Sequence, residues 1–138
     1  MTDALIERLR AELGVDAVLV GDAISTDLMV DETLRATPVA PACVAYPSTT
    51  AEVSAIVRLA ADVGAPVTAR GAGTGLSGAC IPRSNGVLVA FDRMRALVEL
   101  DTENQVAVVQ PGLTLAELDA ATAAVGLVYP VFLSLIHI

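Results

Sequence analysis

Apolar and polar positions fall along this chain in blocks of different period. Leu5, Ile6, Leu9 and Leu13 recur at helical spacing, with Thr2 or Asp3 available as the cap and Gly14 as the stop, and predict a first surface helix. Residues 15–42 lose that period. They include the acidic, turn-rich "GDAISTDLMVDE" and the extended "TPVAPA", which Pro38 and Pro41 keep out of a helix. "CVAYP", residues 43–47, is a short apolar run closed by proline and reads as a buried strand. Thr49 and Glu52 then have the spacing of a capping box. The helix they open runs through Val53, Ile56, Val57, Ala60 and Val63 to a left-handed stop at Gly64. "PVTAR" returns as a strand, so residues 43–70 predict a βαβ unit with parallel strands and a right-handed crossover.

"GVLVAF", residues 86–91, is a continuous apolar strand, and "ALVELD" and "QVAVVQ" flank "TEN" as a hairpin. After Pro111 and Gly112 a second capping box, Thr114 with Glu117, starts a helix through Leu115, Leu118, Ala121 and Val125 that Gly126 ends. "LVYP" begins one more extended segment. A parallel start followed by antiparallel strands makes the fold α+β rather than a regular doubly wound sheet.

Composition narrows the class. At 138 residues the chain is one ordinary domain or a piece of something larger, and with 54% hydrophobic but only 3% aromatic residues its core is built of Ala and Val rather than rings. A net charge of −8 argues against attraction to nucleic acid or anionic lipid. Cys43 and Cys80 show no metal-ligand spacing, so neither a disulfide framework nor a zinc site is expected, and a reducing, cytoplasmic setting fits. Charges throughout "MTDALIERLRAELG" do not suit a secretory signal. The stretch 120–138 is uncharged but broken by Gly126 and Pro130, and is not expected to span a membrane. Its last six residues, "LSLIHI", stand apart in composition and hold the only histidine. Back-translated as CTG TCT CTT ATA CAC ATC they match the end sequence of a transposon-based sequencing adapter. Residues 133–138 are therefore expected to be a non-native tail, and His137 is no candidate for catalysis. Codons other than these six would remove that expectation.

The densest signal is "RGAGTGLSGA", residues 70–79. A Walker loop fails because no Lys follows Gly78. Gly73, Gly75 and Gly78 satisfy the dinucleotide fingerprint GxGxxG, with Asp92 at a strand end further on. That reading needs a crossover helix, and the eight residues between Gly78 and Val87 hold Pro82 and the turn-like "SNG" instead. What the residues support is a loop whose backbone N–H groups converge on an anion, with Thr74 and Ser77 as added hydroxyl donors. The bland alternative is a tight packing turn in a non-catalytic α+β domain.

The segments "YPSTTAEVSAIVRLAADVGAPVTARGAGTGLSGA" and "GVLVAFDRMRALVELDTENQVAVVQPGLTLAELDAATAAVGLVYP" closely resemble the N-terminal part of FAD-binding oxidoreductases with a PCMH-type domain, the vanillyl-alcohol oxidase superfamily. Within it they resemble the glycolate oxidase D-subunit and D-lactate dehydrogenase branch. The resemblance implies that residues 43–132 are the first part of an FAD-binding domain, preceded by a helix and lead-in segment, 1–42. It implies that Arg70, Gly71, Ala72, Gly73, Thr74 and Gly75 form the loop around the FAD pyrophosphate, and that Gly112 lies in a second turn near the cofactor, a position that also reads as a plain hairpin-to-helix turn. The side chain of Arg70 has two readings, a role in that loop or a strand-end charge facing solvent. No histidine stands in the loop, so FAD is expected to be held non-covalently. The implied activity is oxidation of a small 2-hydroxy acid, and the catalytic residues are expected in a C-terminal half of the same protein, none of them here. No metal site is expected.

Overall fold

The computed structural model describes residues 2–34 and 36–130, so the expected tail at 133–138 lies outside the described residues. Its regular elements are α1 (Thr2–Leu13), β1 (Val18–Leu19), β2 (Cys43–Ala45), α2 (Thr50–Asp62), β3 (Val67–Arg70), β4 (Val87–Ala90), β5 (Leu97–Asp101), β6 (Val106–Val109) and α3 (Leu115–Ala123). They form two compact units, divided between Met94 and Arg95.

In the first unit four strands lie in the order β1-β2-β4-β3. β2 and β3 both run parallel to β4, with Val44 and Thr68 on either side of Leu88, and β1 closes the β2 edge antiparallel. The expected strand-helix-strand unit is thus present as β2-α2-β3, with β4 inserted between its strands. β4 is apolar at every position because both of its faces are covered. Val87 and Val89 point with Cys43 and Ala45 into a core with Leu5, Leu9, Ile56 and Ala60, where α1 and α2 pack. Leu88 and Ala90 point with Val44 to the opposite face, against Ile24 and the half-buried Leu28 and Met29. In the aperiodic stretch 15–42, built of three short 3₁₀ turns and the two-residue β1 rather than of helix, Ile24, Leu28 and Met29 cover this second face while β1 joins the sheet edge. β1 escapes the sequence pattern because two residues give no period to detect.

Thr49 caps α2 as expected, its Oγ1 accepting the Glu52 N–H at 3.2 Å. The reciprocal half of the box differs: the Glu52 carboxylate accepts the N–H of Ser48, at 2.7 Å, rather than that of Thr49. The carboxylate thereby ties down the residue after Pro47, one step before the helix. Gly64 ends α2 at φ +68°.

The second unit is the antiparallel β5–β6 hairpin followed by α3. The hairpin loop is organised by Asp101, whose carboxylate accepts the N–H groups of Glu103 and Asn104 and the Asn104 side-chain amide. These bonds hold the Asp101 carboxyl below the ordinary aspartate range. At the start of α3 the capping box of Thr114 and Glu117 is complete. The helix ends at Gly126, φ +76°, where Leu127 returns its N–H to the Thr122 carbonyl at 3.0 Å. No helix among the described residues is long and apolar enough to cross a membrane.

Candidate functional site

The glycine loop leaves the carboxyl end of β3 and reaches β4 without any helix or strand between residues 71 and 86. The crossover helix required by a nicotinamide-type dinucleotide fold is absent there, which removes that reading of GxGxxG. β3 can join a parallel neighbour through a bare loop because sixteen residues suffice to return along the sheet. At Gly86 the chain passes so close to the start of β3 that an added Cβ would lie 2.7 Å from the Pro66 carbonyl oxygen.

Of the site residues expected from sequence, Arg70 to Gly75 stand together in the first unit, while Gly112 lies in the second, in the turn between β6 and α3 closed by the Leu113 N–H on the Gln110 carbonyl. Arg70 is not the solvent-facing charge that one reading allowed: it is 9% exposed. Its Nη1 donates to the Val30 carbonyl at 2.6 Å and its Nη2 to the Asp27 carbonyl at 2.8 Å. Both partners are backbone carbonyls, and among the described residues no carboxylate pairs with the guanidinium beneath the loop. Gly73 rests on that guanidinium at φ +75°, where a Cβ would overlap it. Gly71, Ala72 and Thr74 are exposed above it. Positive φ is confined in this loop to Gly73 and Gly78; at Gly75, where the nearest atom to a Cβ would be Asp31 Oδ2 at 3.7 Å, small size is not enforced by the fold.

The chemistry follows from where the donors go. Among the described residues, no N–H of 71–80 donates to a backbone carbonyl, whereas the flanking Val87 and Ile81 do, to Pro66 and Gly78. Over 71–75 the N–H groups have no backbone partner, the side chains are small and the buried Arg70 guanidinium lies below Gly73. The packing-turn alternative predicted those N–H groups to be engaged by neighbouring backbone, and they are not.

Sequence reasoning missed the supports of the loop. Glu32 donates its N–H to the Gly75 carbonyl at 3.0 Å. Asp31, beside it, is buried and accepts the Thr33 N–H at 3.0 Å. The Asp-x-Thr spacing was a legible turn signal, but its proximity to the glycines is a tertiary fact. Elsewhere in the unit, burial pushes the Cys43 thiol up to about 11, which makes it inert, and both cysteines are free. Arg93 stacks over Tyr46 at 5.9 Å. Among the described residues no cluster of His, Cys, Asp and Glu has the makings of a metal site.

The glycine loop thus stands at the carboxyl end of a parallel strand on an α+β scaffold. The profile of the FAD binding domain family matches residues 41–138. An uncharacterized FAD-linked oxidoreductase of Mycobacterium tuberculosis is 53% identical over 115 residues, which cover 83% of this chain and 25% of that protein. A D-lactate dehydrogenase of Anaerostipes hadrus is 34% identical over 130 residues, 94% of this chain and 27% of the relative. Among solved structures, p-cresol methylhydroxylase with substrate bound superposes with a TM-score of 0.77 at 22% identity, covering 91% of this chain and 25% of that one. The chain belongs to the FAD binding domain family. Its fold is the PCMH-type α+β fold that the resemblance implied, and the chain spans about a quarter of the length of the relatives it matches.

Proposed function

We propose that this chain is the pyrophosphate-binding part of the flavin domain of an oxidoreductase that takes a small 2-hydroxy acid, of the glycolate or D-lactate type. The observation that carries the reading is the set of unclaimed N–H groups over the buried Arg70. In it, Gly71, Ala72, Gly73, Thr74 and Gly75 supply main-chain donors to the FAD diphosphate and Arg70 supplies fixed positive charge below. Gly112 contributes a second close approach. Bound there non-covalently, FAD would supply the two-electron redox chemistry for oxidising the α-carbon of the 2-hydroxy acid. The residues of this chain bind and orient; the catalytic groups belong to the remaining three quarters of a protein like its relatives. The D-lactate dehydrogenase relative supports the substrate class, and the two free cysteines support a reducing, cytoplasmic setting.

The test is the protein encoded by the full-length gene. It should purify yellow, release FAD on acid denaturation and lose its flavin colour when glycolate or D-lactate is added without oxygen. A protein that takes up no FAD overturns the cofactor reading, flavin that stays with the denatured chain overturns non-covalent binding, and colour that survives every 2-hydroxy acid overturns the substrate class. The 138-residue chain alone should bind FAD weakly and turn nothing over.

A further inference from the structure

The carboxylate of Asp31 is the least accounted-for group in the first unit. The residue is 8% exposed and forms no ion pair among the described residues. A buried carboxylate in that position is costly unless dipoles solvate it. Oδ1 takes the Thr33 N–H at 3.0 Å, but Oδ2 is buried without a direct hydrogen bond and faces Gly75, 3.7 Å from the position of a Cβ there. The hydroxyl oxygen of Thr33 is buried in the same way, 3.9 Å from the corresponding position at Gly78. Glu32, between them, is bonded to the Gly75 carbonyl. Residues 31–33 thus lie against Gly75 and Gly78.

We propose that Asp31 is a positioning residue whose carboxylate serves as the internal anion of the loop, gathering the Gly75–Cys80 arm and leaving the Gly71–Gly75 arm to an external diphosphate. Burial pushes the Asp31 carboxyl up, but the Thr33 hydroxyl and the N–H groups of Thr33, Cys80 and Gly78 together outweigh it and hold the group below its ordinary value; among the described residues, the Thr33 N–H at 3.0 Å is the one direct hydrogen bond. The loop therefore carries two anion positions of different origin. One is filled by the chain itself, which fixes the curvature before any ligand arrives. The use of the other arm rests on the flavin reading; the internal role of Asp31 does not.

Amide hydrogen exchange on the 138-residue chain without FAD tests this. Asp31→Asn keeps the shape and removes the charge, and should speed exchange in residues 75–80 by about tenfold, the scale of a lost hydrogen bond to a charged group. Exchange in β2 and β4 should not change. In Asp31→Gly, added formate should slow exchange in the same residues, and chloride at equal ionic strength should not. Unchanged loop exchange in Asp31→Asn, equal loosening of the loop and of β2 and β4, or formate acting no better than chloride would each overturn the proposal. Should a variant fail to fold, refolding decides: recovery of native circular dichroism with formate supports the internal anion, and failure with formate overturns it. FAD uptake by the full-length wild-type protein is scored separately, so a failed flavin reading and a failed role for Asp31 give different results.

Discussion

β4 and β6 are almost the same string, "VLVA" at 87–90 and "VAVV" at 106–109, and they meet opposite environments. All four residues of β4 are buried, whereas Val106, Val108 and Val109 of β6 are 51%, 44% and 39% exposed. β4 has a strand on each edge and a packed layer on each face. β6 has one neighbour, β5, whose Val98 is also exposed, in a two-stranded sheet. A continuous apolar run therefore reports that a strand is suited to burial on both sides, not that its own unit provides the cover.

Replacing one residue in each strand gives the largest expected contrast. Leu88→Ala, at the centre of the parallel sheet, should cost about 2–5 kcal/mol, while Val108→Ala on the hairpin should stay within about 0.5 kcal/mol. Urea unfolding followed by circular dichroism measures both. Equal losses at the two positions would mean that β6 is as well covered as β4.

The glycines extend the same contrast between enforced and permitted positions. Gly86→Ala drives a Cβ against the Pro66 carbonyl, and Gly73→Ala places one at φ +75° on top of Arg70. Each should cost about 1–3 kcal/mol through overpacking or strain. Gly75→Ala, with ordinary φ and a Cβ at ordinary van der Waals distance from Asp31 Oδ2, should change stability by less than about 0.5 kcal/mol. If Gly75→Ala nevertheless abolishes FAD uptake by the full-length protein, that glycine is kept for the ligand rather than for the fold. Stability that falls as far at Gly75 as at Gly73 would erase the distinction.

The smallest effect separates the two helix caps. Thr114→Ala removes a complete capping box, and should loosen the first turn of α3 by about 1 kcal/mol, read as faster amide exchange at Glu117 and Leu118. Acid should act at the same place. The backbone N–H of Thr114, its hydroxyl and Arg95 hold the Glu117 carboxyl below the ordinary 4.5. A folded-state value lower than the unfolded one stabilises the helix start above that pH and loses the effect as pH falls through the folded value. An NMR titration in which Glu117 protonates at or above its ordinary value would contradict this.

Both helical caps, the glycine stops and the hairpin were legible because each depends on residues a few positions apart. Thr114 and Glu117 meet by helical geometry alone, and Asp101 reaches the N–H groups of its own turn. The exchange of Thr49 for Ser48 as the donor to Glu52 shows the resolution of such reading: the residues are right and the bond is one position off. The glycines of 70–78 were legible as a loop with no helix in it, and the family from "PVTARGAGTGLSGA" with "VQPGLTLAEL". What lies under it was not. That Arg70 turns inward, toward carbonyls 40 and 43 residues earlier in the chain, depends on where the lead-in segment packs, as does the placement of Asp31 and Thr33 against Gly75 and Gly78.

The sequence by itself determined the three helices, the strands other than β1, the glycine stops, and that residues 79–86 hold no crossover helix, because short-range sterics and hydrogen bonding decide these. Only the tertiary structure decided that β4 sits between β2 and β3, that Ile24, Leu28 and Met29 cover the second face of the sheet, and that a buried guanidinium and a buried carboxylate flank the glycine loop. Those facts depend on pairing across long separations, where many partners satisfy the local pattern equally and burial of the whole unit selects one.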